Sequence, residues 1–217
     1  MKAEQTENSN DKIDPETLAK HLRYPQGKIG KMIGNEMNKS NYHINTNAFN
    51  LLDLRSGDSI LEIGFGNGKL IPDLLKRATN LDYCGVDLSE IMVEEATTIN
   101  EKLIKNGSVE LMQGSINQLC YKTDIFDKII TVNTIYFWDN AKEVIEELHR
   151  VLKPNGLLII GFRDKELVQS MPFTKFGFTL YDGNEVTSLI KTCDFQSVEL
   201  IIKQEPAFDF EGENLTL

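Results

Sequence analysis

Cysteine is scarce and scattered: Cys84, Cys120 and Cys193 make no CxxC pair and no disulfide framework. A reducing, cytoplasmic setting is therefore expected, and no metal site. No stretch approaches the roughly 18 consecutive apolar residues of a membrane span. Cations are in deficit, with 23 Lys+Arg against 33 Asp+Glu and a formal net charge of −10. That balance argues against nucleic-acid binding by bulk charge, because phosphate contacts need a basic face. Internal repeats and low-complexity tracts are missing too. What remains is 217 residues, 41% of them hydrophobic. A single domain of that size buries roughly 70% of its unfolded surface and needs no staple.

Residues 1–14 are polar and acidic, and are expected to form a disordered leader rather than a signal or transit peptide. Residues 15–53 read as an N-terminal helical cap, broken near Pro25 and Gly27. From residue 54 to 217 short apolar runs alternate with amphipathic helices. Strands are expected at 59–63, 83–86, 109–112, 128–132, 157–162 and 198–203. Helices are expected at 69–78, 89–105, 141–152 and 185–192. Such alternation implies an α/β, doubly wound, mostly parallel sheet with helices on both faces.

The most informative segment is Ile60-Leu61-Glu62-Ile63-Gly64-Phe65-Gly66-Asn67-Gly68. It leaves a strand and enters a helix, where doubly wound folds bind nucleotides. A dinucleotide fingerprint is G-x-G-x-x-G, built around a pyrophosphate. Here the spacing is G-x-G-x-G, and Glu62 precedes the first glycine by two residues. An anion there suits a ligand with an ammonium or sulfonium group. Asp87 ends the second strand, where a carboxylate can accept bonds from ribose hydroxyls. A cationic nucleoside with free ribose hydroxyls describes S-adenosylmethionine.

The chain resembles the class I S-adenosylmethionine-dependent methyltransferases, within them the type 11 group. The resemblance covers roughly residues 55–200. It rests on ILEIGFGNG, on GVDLS at 85–89, on FDKIITVNTIYFW at 126–138 and on HRVLKPNG at 149–156. It implies a Rossmann-like sheet of seven strands, the last antiparallel between strands five and six. After Lys203 little chain remains, so the last strand is expected to be short or missing, near 207–210 or 215–217.

The resemblance implies that Gly64, Phe65, Gly66, Asn67 and Gly68 wrap the methionine part of the cofactor, near Glu62. Asp87 would hold the ribose and Leu88 would flank the adenine. Many relatives carry Gly-Asp after the third strand; this chain has Gly114-Ser115, leaving the adenine edge to Ser115 and Ile116. Asn133, Thr134 and Ile135 would line the floor beside the methyl donor. Tyr136, Phe137 and Trp138 form an aromatic cluster, and aromatic faces attract cations by about 0.5–2 kcal/mol.

No strong general base stands out; Tyr136, Asp139 and His43 are the candidates. Two segments are expected to roof the site. One carries Tyr24, Gly27, Gly30, Gly34, Asn38, Asn41, Tyr42 and His43, in a stretch (21–40) with four Lys/Arg and one Glu. The other is a substrate lid at about 164–183, containing Phe173, Phe176 and Phe178 as an extra strand or a pocket wall. Tyr42, Tyr136, Trp138, Phe173, Phe176 and Phe178 are the candidate acceptor contacts. The function expected is methyl transfer to a small molecule by a monomer or homodimer with no membrane span. Two other readings stay open. One is a nucleic-acid base N-methyltransferase, suggested by Asn133 and Tyr136 in an Asn-x-x-Tyr pattern that lacks the prolines of Asn-Pro-Pro-Tyr. The other is a cofactor-binding scaffold without catalysis.

Overall fold

A computed structural model describes residues 13–206, 208–210 and 213–215. The expected leader lies almost wholly outside the described residues. Asp14 belongs to the fold: its side chain accepts the Thr17 N–H and caps helix α1 (Pro15–Arg23). Helices α2 (Gly27–Ser40) and α3 (Tyr42–Leu51) follow, with breaks at Pro25 and again at Asn41.

Five parallel strands form the central sheet: β1 (Ser59–Ile63), β2 (Asp82–Asp87), β3 (Val109–Gln113), β4 (Phe126–Val132) and β5 (Leu152–Gly161). Their order is β3-β2-β1-β4-β5. The intervening helices are α4 (Ile71–Leu75), α5 (Glu90–Ile99), α6 (Glu101–Lys105) and α7 (Ala141–Val151). Beyond β5 lie α8 (Lys165–Val168), a 3-10 turn (Pro172–Lys175) and α9 (Gly183–Ile190).

The sheet is covered on both faces, which is why β1 and β4 are apolar with little alternation. Leu61, Ile63, Phe126 and Ile129 pack with Val144, Ile145, Leu148 and Val151 of α7. Ile60, Tyr83 and Ile130 pack on the other face with Ala48, Phe49 and Leu52, and with Ile71 and Leu74 of α4. Each such side chain contributes about 1.5–3 kcal/mol on burial. The period-2 rule puts Glu62 on the same face as Ile60, toward Tyr83. A third apolar cluster joins Leu18, Ala19 and Ile33 to Val168, Met171 and Phe173, so the first helices pack against the segment after β5.

Several boundaries differ from the sequence reading. The helix expected over 69–78 is confined to Ile71–Leu75. The helix expected to run from Ser89 to Lys105 breaks at Asn100, whose amide turns inward to the Gly68 and Ala96 carbonyls. Segment 171–181 is a pocket wall, not a strand. The strand expected at 198–203 does not form. Those residues carry no strand assignment, and Ile202 is 83% exposed. A strand needs a neighbour as well as a β-prone sequence. In the sheet implied by the resemblance, that neighbour is the last strand, which does not join the main sheet. Instead β6 (Phe208–Phe210) pairs with β7 (Glu213–Leu215) in a separate antiparallel ribbon. Ala207 and residues 216–217, named in that expectation, lie outside the described residues.

Candidate functional site

A cavity of about 480 Å³ opens at the carboxyl ends of β1, β2 and β4, beneath α1 and α2. The turn after β1 forms one wall. Gly64 (φ +75°) and Gly66 (φ +61°) adopt the left-handed conformation that glycine tolerates. A Cβ on Gly64 would lie 2.5 Å from the Thr134 Cγ2, so only a bare backbone fits between β1 and β4 here.

Two carboxylates face this cavity from adjacent strands. Glu62 is 7% exposed and Asp87 8%. The Tyr83 hydroxyl donates to Glu62 Oε2 at 2.7 Å. Asp87 accepts the Gly66 N–H on Oδ2 and the Ser89 N–H on Oδ1, both at 2.9 Å. Burial pushes Glu62 up to about 7; the Tyr83 bond opposes this and the charge of Asp87 adds to it. Burial likewise pushes Asp87 up to about 6, against the two backbone bonds. A buried carboxylate pair favours a ligand that brings positive charge and hydroxyl donors. S-adenosylmethionine fits that chemistry, with its ammonium, sulfonium and ribose hydroxyls. Among the described residues no cluster of side chains could hold a metal ion.

The floor is held in an uncommon conformation. Asn133, at the end of β4, has φ +57°, a left-handed value that asparagine tolerates. Its N–H donates to Gly161 O at 2.8 Å, and its Nδ2 donates to Asn41 Oδ1 at 3.1 Å. Two further bonds tie α2 and its N-terminal approach to the same loops. Ser89 Oγ donates to Pro25 O at 2.7 Å, and Asn67 Nδ2 donates to Asn35 Oδ1 at 3.1 Å. Gly34 permits this approach, since a Cβ there would meet Met92 Sδ at 2.9 Å.

Glu62, Gly64, Phe65, Gly66, Asn67, Asp87, Leu88, Ser115, Ile116, Asn133 and Thr134 all line the cavity, as do Tyr136, Trp138, Asp139, Phe173 and Phe178. Tyr24, Gly27 and Gly30 of the expected roof do not, nor do five of the expected cofactor, acceptor or base residues. Gly68 packs against Ala96 and Asn100, serving helix packing. Ile135 is fully buried in the core on the α7 face. Tyr42 and His43 point to solvent from the start of α3 and stack edge-on with each other. Phe176 is 42% exposed beyond the wall formed by Phe173 and Phe178.

Two of the candidate bases, Tyr136 and Asp139, line the cavity in different settings. Tyr136 donates to Arg163 O at 2.9 Å and accepts the Arg163 N–H at 2.6 Å. Burial pushes its phenol well above the ordinary value. Asp139 sits on the rim, 75% exposed, paired with Arg23 at 3.0 Å. Residues that the sequence reading did not name as site candidates include Met37 and Arg163, both of which line the cavity. Arg163 follows β5, and the carboxyl ends of strands are where this architecture binds ligands, so its position was the available signal.

A profile of the methyltransferase domain matches residues 61–160. The uncharacterized methyltransferase YdaC of Bacillus subtilis is 32% identical over 167 residues, covering 77% of this chain and 87% of that protein. The human EEF1A lysine methyltransferase 2 is 30% identical over 155 residues, covering 61% of this chain and 64% of that protein. A chain from the complex between the Haloferax volcanii Trm112 methyltransferase activator and a methyltransferase superposes with a TM-score of 0.70. It is 19% identical and matches over 94% of this chain and 90% of its own length. By glycine turn, sheet order and relatives alike, the chain belongs to the class I S-adenosylmethionine-dependent methyltransferases.

Proposed function

We propose that the enzyme methylates a small, largely apolar molecule enclosed between the N-terminal helices and the segment after β5. The observation that carries this reading is the apolar compartment above the glycine turn. Ile33 and Met37 of α2, with Val168, Met171, Phe173 and Phe178, line it. Residues 15–53 then act as a cap and 164–183 as a lid, with Arg23 and Asp139 at the rim.

S-adenosylmethionine, when bound, supplies an electrophilic methyl group on a sulfonium. The chain's residues do the rest. Glu62 and Asp87 would offer negative charge to the cationic and hydroxyl-bearing parts of the cofactor. The Gly64–Gly66 backbone would let it approach closely, and Leu88, Ser115 and Ile116 would hold its base. Asn133 and Thr134 would form the floor of the reaction site. The aromatic group of Tyr136, Phe137 and Phe178, with centroids 4.6–6.2 Å apart, excludes water and orients the acceptor. In-line methyl transfer to an already nucleophilic acceptor needs no general base. Among the described lining residues, Tyr136 is locked and Asp139 is solvated, which suits such an acceptor.

The similarity to a lysine methyltransferase supports a second reading, a protein acceptor. Incubating the enzyme with methyl-labelled S-adenosylmethionine and a size-fractionated extract separates the two. Label in the low-mass fraction is expected. Label confined to protein would replace the small-molecule reading. Label in nucleic acid would instead favour base methylation.

A further inference from the structure

Arg23 and Arg163 both line the cavity, but their settings differ. Arg23 is half exposed on the rim, while the Arg163 side chain is 10% exposed. The Arg163 guanidinium donates from Nε to Glu205 Oε2 at 2.8 Å, from Nη1 to Asn41 Oδ1 at 2.8 Å and from Nη2 to Ser40 O at 2.6 Å. Asn41 in turn bonds Asn133 at the end of β4. The cation therefore sits at the same end of the sheet as the glycine turn.

Its carboxylate partner arrives on an irregular segment whose described residues are mostly exposed. Residues 199–204 and Pro206 are exposed and carry no strand or helix assignment. Glu205 alone turns inward, with its side chain 9% exposed. Its second oxygen, Oε1, is buried with no hydrogen-bond partner. A buried ion pair regains little more than its desolvation cost, and an unsatisfied carboxylate oxygen adds to that cost. Such a pair therefore contributes little net stability. What the pair does mark is a place beside the cavity that accepts a carboxylate, here one left with an unpartnered oxygen.

We propose that Arg163 anchors an anionic group of the methyl acceptor, a carboxylate or similar planar oxyanion, and that Glu205 is the intramolecular stand-in that holds this place beforehand. The proposal rests on the small-molecule reading above and adds a substrate class: an apolar body with one anionic end. The apolar body faces Ile33, Met37, Val168, Met171 and Phe173, and the guanidinium fork matches the planar anion.

The test is a calorimetric titration of the full chain saturated with S-adenosylhomocysteine. The probes are 3-phenylpropanoate, its neutral amide and 3-phenylpropylamine. The proteins are the native enzyme, Glu205→Gln and Arg163→Met. The native enzyme is expected to prefer the acid. Glu205→Gln removes the internal competitor's charge and should bind the acid about tenfold tighter, whereas Arg163→Met should bind it at least about tenfold more weakly. The amide should bind all three weakly and alike. Amide or amine binding as well as the acid would overturn the proposal. So would a Glu205→Gln variant whose acid affinity is unchanged or lower, the result expected of a purely structural clasp. Should Arg163→Met fail to fold, Glu205→Gln decides alone. No response to S-adenosylhomocysteine would overturn the underlying reading of the site; a response to it without acid preference overturns the anchor only.

Discussion

Acidification toward pH 5 should stabilise the ligand-free enzyme, and the effect should run through Glu62. In the unfolded chain Glu62 and Asp87 titrate near 4.5 and 3.8; in the fold, burial pushes them up to about 7 and about 6. Between the unfolded and folded values, the folded state holds protons that the unfolded state has released. Stability therefore falls as pH rises from about 4.5 to 7, and levels off above that. For Glu62 the interval from 4.5 to about 7 corresponds to roughly 3 kcal/mol, at about 1.4 kcal/mol per pH unit. Urea unfolding at pH 5, 6, 7 and 8 measures this directly. Glu62→Gln keeps an acceptor for the Tyr83 hydroxyl but cannot ionise, so it should flatten much of the slope and be more stable than the native enzyme at pH 8. A cationic ligand reverses the preference, because it favours the ionised carboxylates. Affinity for S-adenosylmethionine should therefore tighten between pH 5.5 and 7.5. A ligand-free stability that rises over pH 5–7, or a slope identical in Glu62→Gln, would refute the reasoning.

Three further outcomes follow from the geometry. Gly64→Ala combines φ +75° with a 2.5 Å approach to Thr134, so it should cost about 1–3 kcal/mol of stability and abolish thermal stabilisation by S-adenosylhomocysteine. Phe173→Ala removes a buried wall residue and should raise the acceptor KM while costing about 3 kcal/mol; Phe176→Ala, exposed, should leave KM unchanged and stability within about 0.5 kcal/mol. Asp139→Asn breaks an exposed ion pair and should change stability by less than about 1 kcal/mol, with kcat retained; a loss above about a hundredfold would restore Asp139 as a base.

Much of the sheet could be read from the chain because parallel strands buried on both faces are continuous apolar runs. The runs ending in Ile63, Val86 and Val132 stand out for that reason. The glycine turn and Asp87 were legible because their spacing is local and tied to strand ends. The polar network around the cavity was not. Glu62 meets Tyr83, Asn41 meets Asn133, and Arg163 meets Glu205, each across a long sequence separation that only the fold closes. Side-chain direction outside regular elements was equally hidden. Phe173 and Phe178 turn inward while Phe176 turns out, and no periodicity marks the difference in a wall made of a 3-10 turn and irregular chain. The segment 198–203 has the composition of a strand, but pairing depends on a neighbour that its own sequence does not encode.

The most direct measurement is a calorimetric titration of the full chain with S-adenosylhomocysteine, repeated on Asp87→Ala. One saturable site in the native enzyme, weakened at least about tenfold in Asp87→Ala, is the expected result, since the Ala variant loses the carboxylate between Gly66 and Ser89. Equal affinity in the two proteins would mean that the cofactor does not occupy the cavity between Gly64 and Asp87.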